Sequence, residues 1–290
     1  MEFEIITSGL RFPEGPVVMA DGSIIVVEIE KKCITRCWGD GKTEVIATPG
    51  GGPNGLAIGP DGALWVCNNG GFIYTDMDGL LIPGNCPDDY DGGRIERVDL
   101  STGKVDRVLD TVGGHPLKGP NDLVFDKAGN LYFTDHGKTY SRHRDFGGLF
   151  FLANGASEAK ELDFHYSSPN GVGLAPDEQT VFMADTMTGR MWAFDLESPG
   201  IIKPASPFNG GRVVATMPGL QYFDSLAMTA AGNVCVATGD FHHTAFPDLI
   251  VTNIAFGGDD MQDAYVTLSS TGQLAKCRWP EPGLKLNFNA

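Results

Sequence analysis

The chain has 290 residues, 42% of them hydrophobic and 20% charged, which is ample for a packed core and argues against wholesale disorder. With 21 Lys and Arg against 37 Asp and Glu it carries a formal charge of −16, and no basic cluster interrupts that field. Nucleic acid is therefore a poor partner, and no run approaches the roughly 18 apolar residues that would span a bilayer.

The N-terminal MEFEIITSGLRFPEG lacks the basic and apolar regions of a signal peptide. The six cysteines, Cys33, Cys37, Cys67, Cys86, Cys235 and Cys277, form no CxxC pair. Reduced thiols and a cytoplasmic location are the expectation. The 39 glycines follow no triplet period and point to many tight turns.

In chain order, one phrase recurs. It reads EGPVVMADGSIIVVE from Glu14, NGLAIGPDGALWVCN from Asn54, NDLVFDKAGNLYFTD from Asn121, NGVGLAPDEQTVFMAD from Asn170 and DSLAMTAAGNVCVATG from Asp224. A weaker sixth version, FGGDDMQDAYVTLSSTG from Phe256, lacks the leading polar residue. Eight residues after each of the five leading residues stand Gly22, Gly62, Gly129, Glu178 and Gly232. Glycine between two apolar runs marks a hairpin turn, so each phrase predicts two short inner strands. SIIVVEIEKKCITRCWGDGKTEVIAT adds three strands, and GGRIERVDLSTGKVDRVL a hairpin turning at Thr102 and Gly103. No amphipathic helix is evident. About four short strands per unit of roughly 40 to 65 residues predicts an all-β, six-bladed propeller in a single domain, 1–290.

Propeller geometry brings the start of every innermost strand to one mouth of the central channel. Glu14, Asn54, Asn121, Asn170 and Asp224 share that position, so two carboxylates and three amides converge there. Oxygen donors of mixed charge suit one hard divalent cation, Ca²⁺ first, with Mn²⁺, Mg²⁺ or Zn²⁺ also compatible.

The segments FPEGPVV, GPNDLVFDKAGNLYFTD, SPNGVGLAPDEQTVFMADT, FDSLAMTAAGNVCVATG and FGGDDMQDAYVT resemble the family that groups senescence marker protein, gluconolactonase and luciferin-regenerating enzyme-like proteins. The resemblance implies a six-bladed propeller with a central cation and lactonase or related hydrolase activity. It implies that Glu14, Asn170 and Asp224 are metal ligands. Asn121 matches a residue that ligates the cation or orients water and substrate, and Asn54 lines the pocket. Three departures stand out. Gly119 occupies the place of an Arg found in sugar-lactone hydrolases. The stretch from Gly70 to Gly92 is long and acidic enough for a lid. Gly239-Asp240-Phe241-His242-His243 replaces the usual loop after the fifth phrase.

The expected chemistry is opening of a small-molecule lactone or ester, with Asp224 as general base or as nucleophile and Asn121 assisting. Asn54, His136, His242 and Phe223 are expected to line the pocket, with Phe72, Tyr74 and Tyr140 as further apolar wall. His115 and His243 lie on neighbouring loops. The competing readings are hydrolysis at phosphorus on the same cage, as in the similar diisopropyl fluorophosphatase, and a non-catalytic calcium-binding propeller. An open blade edge would support a homodimer.

Overall fold

A hairpin needs a left-handed residue at its tip, and the computed structural model, which describes residues 2–239 and 246–289, places one at every expected tip. Gly22, Gly62, Gly129 and Gly232 have φ of 81°, 73°, 82° and 87°, and Glu178 adopts φ 57° without being glycine. Each phrase therefore forms two antiparallel strands. The first sheet is Pro13–Val18, Ile24–Glu28, Cys33–Cys37 and Thr43–Ala47. The second is Pro53–Ile58, Leu64–Asn68, Arg94–Val98 and Val105–Leu109, and the third is Pro120–Phe125, Leu131–Asp135, Gly147–Leu152 and Lys160–Tyr166. The fourth runs Pro169–Leu174, Thr180–Asp185, Arg190–Ser198 and Arg212–Thr216, with the short Ile201–Ile202 on its third strand.

The fifth hairpin, Tyr222–Met228 with Val234–Gly239, has no further strand among the described residues. The sixth sheet is Val251–Gly257, Asp263–Leu268 and Gln273–Arg278, completed by Phe3–Ser8 from the other end of the chain. The inner strands of the first four sheets, the fifth hairpin and the sixth sheet touch their neighbours in a closed ring. The architecture is an all-β propeller, and the described residues contain no helix.

The sixth phrase corrects the sequence reading. Its inner strand starts at Val251, and Asn253 is its leading polar residue, eight positions before Met261. Met261 takes φ 58°, so the turn is hidden behind a methionine in the conformation glycine holds elsewhere.

The core lies between sheets. Inner strands are mostly apolar because both faces are covered: Pro13–Val18, Pro53–Ile58, Pro120–Phe125 and Pro169–Leu174 are buried throughout. Between the first two sheets pack Val17, Ile25, Val27, Leu56, Leu64 and Val66. Between the second and third, Phe133 stacks on Phe150 with ring centroids 5.3 Å apart. All six cysteines are free thiols.

Candidate functional site

Proline opens the first four inner strands, at Pro13, Pro53, Pro120 and Pro169, where a strand tolerates the missing N–H. The next residue is the leading one. Immediately after it the ladder loses register, between Glu14 and Val17, Pro53 and Leu56, Pro120 and Leu123, Pro169 and Val172, and Phe223 and Leu226. A bulge bends a strand and re-aims its side chains. Repeated around the ring, it gathers the leading residues at one end of the channel. Gly15 shows how close the strands come: at φ 55°, a Cβ there would lie 2.5 Å from the Asn54 carbonyl oxygen.

Glu14, Asn54, Asn121 and Asn170 are all buried, and Asp224 is partly so. Glu14 Oε2 accepts from Gly15 N at 2.5 Å and from Asn253 Nδ2 at 2.7 Å. Asn170 Nδ2 donates to Thr186 Oγ1 at 3.0 Å, and its Oδ1 lies 3.4 Å from Ser225 Oγ. Asp224 Oδ1 accepts from Ser225 N at 3.1 Å. The Oδ1 atoms of Asn54 and Asn121 are buried acceptors with no hydrogen-bond partner among the described residues.

Electrostatics sharpen this. Burial pushes the Glu14 carboxyl up to about 7. Asp122, the residue after Asn121, is likewise raised to about 7 by burial and then by the charge of Glu14. Asp224 rises well above the carboxylate range for the same two reasons in the same order. Carboxyls so placed want a positive charge between them. Lys138, fully buried at this end, is spent elsewhere: its Nζ donates to the carbonyls of Asn69 (3.0 Å) and Gly71 and sits 4.3 Å over the Phe72 ring. Acceptor-rich, cation-poor and partly unsatisfied, the residues present fit a hard divalent ion. No group of three or more His, Cys, Asp and Glu side chains forms a metal cluster among the described residues, so such a cage rests on two carboxylates and amide oxygens.

In the first four sheets the last residue of the second strand ties down the mouth loops. Asn68 Oδ1 accepts from Gly52 N at 2.8 Å, and Asp185 Oδ1 from Ser168 N at 3.0 Å. Asp135 accepts from Lys118 N, Gly119 N and Gly137 N at 2.7, 2.7 and 2.8 Å. These ties decide what Gly119 can be. A Cβ there would stand 2.7 Å from the Gly137 carbonyl oxygen, so the backbone itself refuses the arginine of the sugar-lactone pattern.

The stretch from Gly70 to Gly92 forms a hairpin, Tyr74–Met77 with Leu80–Pro83, laid across the mouth. Leu81 N donates to Ser270 O of the sixth sheet at 2.9 Å, and Cys86 N to Thr139 O beyond the third at 2.7 Å. Phe72 and Tyr74 belong to this lid, with Tyr74 packed on Phe12 at 5.2 Å. Beside it lies a cavity of about 220 Å³ bordered by Glu30, Lys32, Gly71, Tyr74 and Asp89, with none of the leading residues in its wall. The larger cavity, about 770 Å³, opens at the turn end of the channel among Val17, Leu56, Val172 and Leu226; Gly15, Asp122 and Asn253 line it, and none of Glu14, Asn54, Asn121, Asn170 and Asp224 does. The segment from Gly283 crosses that end: Leu284 N bonds Met228 O, and Asn287 Nδ2 reaches Phe125 O at 3.1 Å.

One pocket expectation needs correction, that of Phe223, while His136 is tied to a neighbouring arginine. Phe223 takes the position that proline holds in four other strands, and its ring is buried in core with Ala184, Met191, Leu226 and Met228. His136 is held by Arg144, whose Nη2 meets Nδ1 at 3.1 Å and the His136 carbonyl at 2.7 Å. Burial and then that guanidinium drive its imidazole down to about 3, which keeps the ring a neutral imidazole. His115 is exposed, and Tyr140 stacks on His143 at 4.4 Å. His242 and His243 lie outside the described residues. Sequence reasoning missed Asn253, Asp122 and Ser225. Counting back from Met261 would have found the first, and the other two stand where Gly15, Gly55 and Gly171 stand in their strands.

Comparison with known proteins adds identity to this geometry. The family model described as "SMP-30/Gluconolactonase/LRE-like region" matches residues 12–270. A gluconolactonase of Zymomonas mobilis is 28% identical over 68% of this chain and 56% of its own length. Lactonase drp35 of Staphylococcus haemolyticus is 26% identical over 74% of this chain and 57% of its own. The chain thus spans somewhat over half the length of these two relatives. Among solved structures, a gluconolactonase from Xanthomonas campestris superposes with TM-score 0.73 at 19% identity, over 96% of this chain and 89% of that one. A calcium-binding regucalcin from Agrobacterium tumefaciens gives 0.69 at 18%, over 97% of each chain.

Proposed function

The chain belongs to the SMP-30/gluconolactonase/LRE-like family, and from that premise we propose that it is a metal-dependent hydrolase that opens a lactone or related cyclic ester. The observation that carries the reading is the bulged ring of inner strands, which buries Glu14, Asn121 and Asn170 beside Asp224 and leaves the Asn121 Oδ1 without a partner. Six blades are part of the proposal, the fifth represented by its inner hairpin among the described residues. Relatives named as lactonases support the reaction class, and the neighbour named as calcium-binding supports Ca²⁺.

Glu14, Asn121, Asn170 and Asp224 would hold the ion. When bound, it would supply Lewis acidity toward the substrate carbonyl and its developing oxyanion. The chain supplies the rest. Asp224 Oδ1 is fixed by Ser225 N, which leaves Oδ2 to take a proton from attacking water. Its attack on the carbonyl as a nucleophile is the alternative. Asn121 orients water or substrate with its uncommitted oxygen, and Asn54 offers a second acceptor on the neighbouring strand. The hairpin over the mouth excludes bulk water from one side. Since Gly119 cannot carry an arginine in this loop, we expect a lactone with fewer hydroxyls than gluconolactone.

The test is hydrolysis of aliphatic, aromatic and sugar lactones and of a fluorophosphate, with chelator and with Ca²⁺ or Mn²⁺ restored. Metal-restored lactone opening that Asp224→Asn reduces by about 10³-fold or more is expected, the scale of losing a general base and a ligand together. Cation binding without turnover of any substrate would instead favour a binding protein, and fluorophosphate turnover alone would move the reaction to phosphorus.

A further inference from the structure

Asn253 holds the position in the sixth inner strand that Glu14, Asn54, Asn121, Asn170 and Asp224 hold in theirs, yet its bonding is different. The sixth ladder loses register between Val251 and Asn253, which turns the side chain inward. Its Nδ2 donates to Glu14 Oε2 at 2.7 Å, and its Oδ1 accepts from Ile254 N at 2.8 Å. Both partners are buried. The amide cannot be turned around, because a flipped group would set oxygen against carboxylate and NH₂ against N–H. Asn253 therefore already engages its Oδ1 with Ile254 N, whereas Asn54 and Asn121 each keep an unpartnered Oδ1.

We propose that Asn253 is a positioning residue that orients Glu14 toward a divalent cation without ligating it. The inference rests on the cage reading given above. Gly15 N and Asn253 Nδ2 both act on Oε2, which leaves Oε1 for the ion. The sixth sheet is clamped to the same spot from behind: Ser269 Oγ donates to Pro13 O at 2.5 Å and also meets Thr252 Oγ1 at 2.5 Å. Pro13 and Glu14 are thus gripped on backbone and side chain by the sheet that closes the ring. Partners that fix a ligating carboxylate typically govern affinity by about 10- to 100-fold.

The experiment is calorimetric titration of the full chain with Ca²⁺, using Asn253→Leu, Glu14→Gln and the double variant, alongside cation-free melting temperatures. Asn253→Leu should weaken Ca²⁺ binding by about 10- to 100-fold in the wild-type background. It should change binding by less than about threefold when Glu14 is already glutamine, because the residue acts through that carboxylate. An unchanged affinity in Asn253→Leu overturns the proposal, and so does an equal loss in both backgrounds. Asn253→Ser, smaller and too short to reach Glu14, carries the same predictions if the leucine variant does not fold. A wild-type protein that binds no Ca²⁺, Mn²⁺, Mg²⁺ or Zn²⁺ overturns the cage itself, a result recognisable before any variant is made.

Discussion

The third and fifth sheets begin alike and end differently. In the third, the second strand Leu131–Asp135 is wholly buried, covered by Gly147–Leu152 and then Lys160–Tyr166. In the fifth, Val234, Cys235 and Val236 are only half-buried, and the neighbouring Arg212–Thr216 is exposed along its length. Both nevertheless deliver a leading residue, Asn121 or Asp224, to the same mouth. The inner hairpin suffices to place a side chain, while the outer strands supply the burial that makes the placement durable. The residue proposed to do the chemistry sits on the less covered of the two.

The largest expected contrast is in stability. Phe133→Ala removes a ring with no exposure and should cost about 3–5 kcal/mol in denaturant unfolding. Val236→Ala at the corresponding depth of the fifth hairpin should cost about 1 kcal/mol. Equal costs would mean that the fifth hairpin is as well buried as the third. Next comes cation linkage: at a hundredfold excess over Kd, an ion should add about 2.7 kcal/mol. With Asp224 as a proposed ligand, amides of Tyr222–Met228 are expected to gain more hydrogen-exchange protection than those of Leu131–Asp135. Uniform protection would detach the ion from the fifth hairpin.

Gly119→Ala probes the third sheet's mouth. Its Cβ meets the Gly137 carbonyl at 2.7 Å, so a loss of about 1–3 kcal/mol is expected, and Gly119→Arg should confer no gluconolactone activity. The last contrast is in pH. His136 has a folded pKa lowered from 6.5 to about 3, so the unfolded chain binds more protons between those values and stability falls as pH drops through them. Asp224 in chelator has the opposite sign: its raised pKa favours the protonated fold, and stability falls as pH rises above the unfolded value of 3.8. His136→Gln should flatten the first slope and Asp224→Asn the second, read from Tm against pH.

Much of this was visible in the sequence because glycine punctuates it. Gly22, Gly62, Gly129 and Gly232 set the phase, and the leading residues follow by counting. Where another residue adopts the glycine conformation the phase blurs: Glu178 was recovered by its neighbours, but Met261 concealed Asn253. The short fifth unit was hidden with it: 29 positions separate Asp224 from Asn253, against 54 between Asn170 and Asp224. The terminal residues of the second strands, Glu28, Asn68, Asp135 and Asp185, were visible as letters but not as loop ties. Their acceptors meet N–H groups that only the folded mouth brings near. Burial decided His136 and Phe223, and no local pattern reports which side of a strand end faces the core.

Phe3–Ser8 completes the sixth sheet by pairing with Gln273–Arg278. A ribosome therefore releases this strand long before its partner exists, and the segment must wait with an unpaired edge while almost every other hairpin is made. Such distant pairing slows the final step and leaves the nascent chain open to association with other strands. The reward comes later: once Phe3 lies beside Cys277, unzipping the ring at the sixth sheet means breaking contacts between segments far apart in the chain.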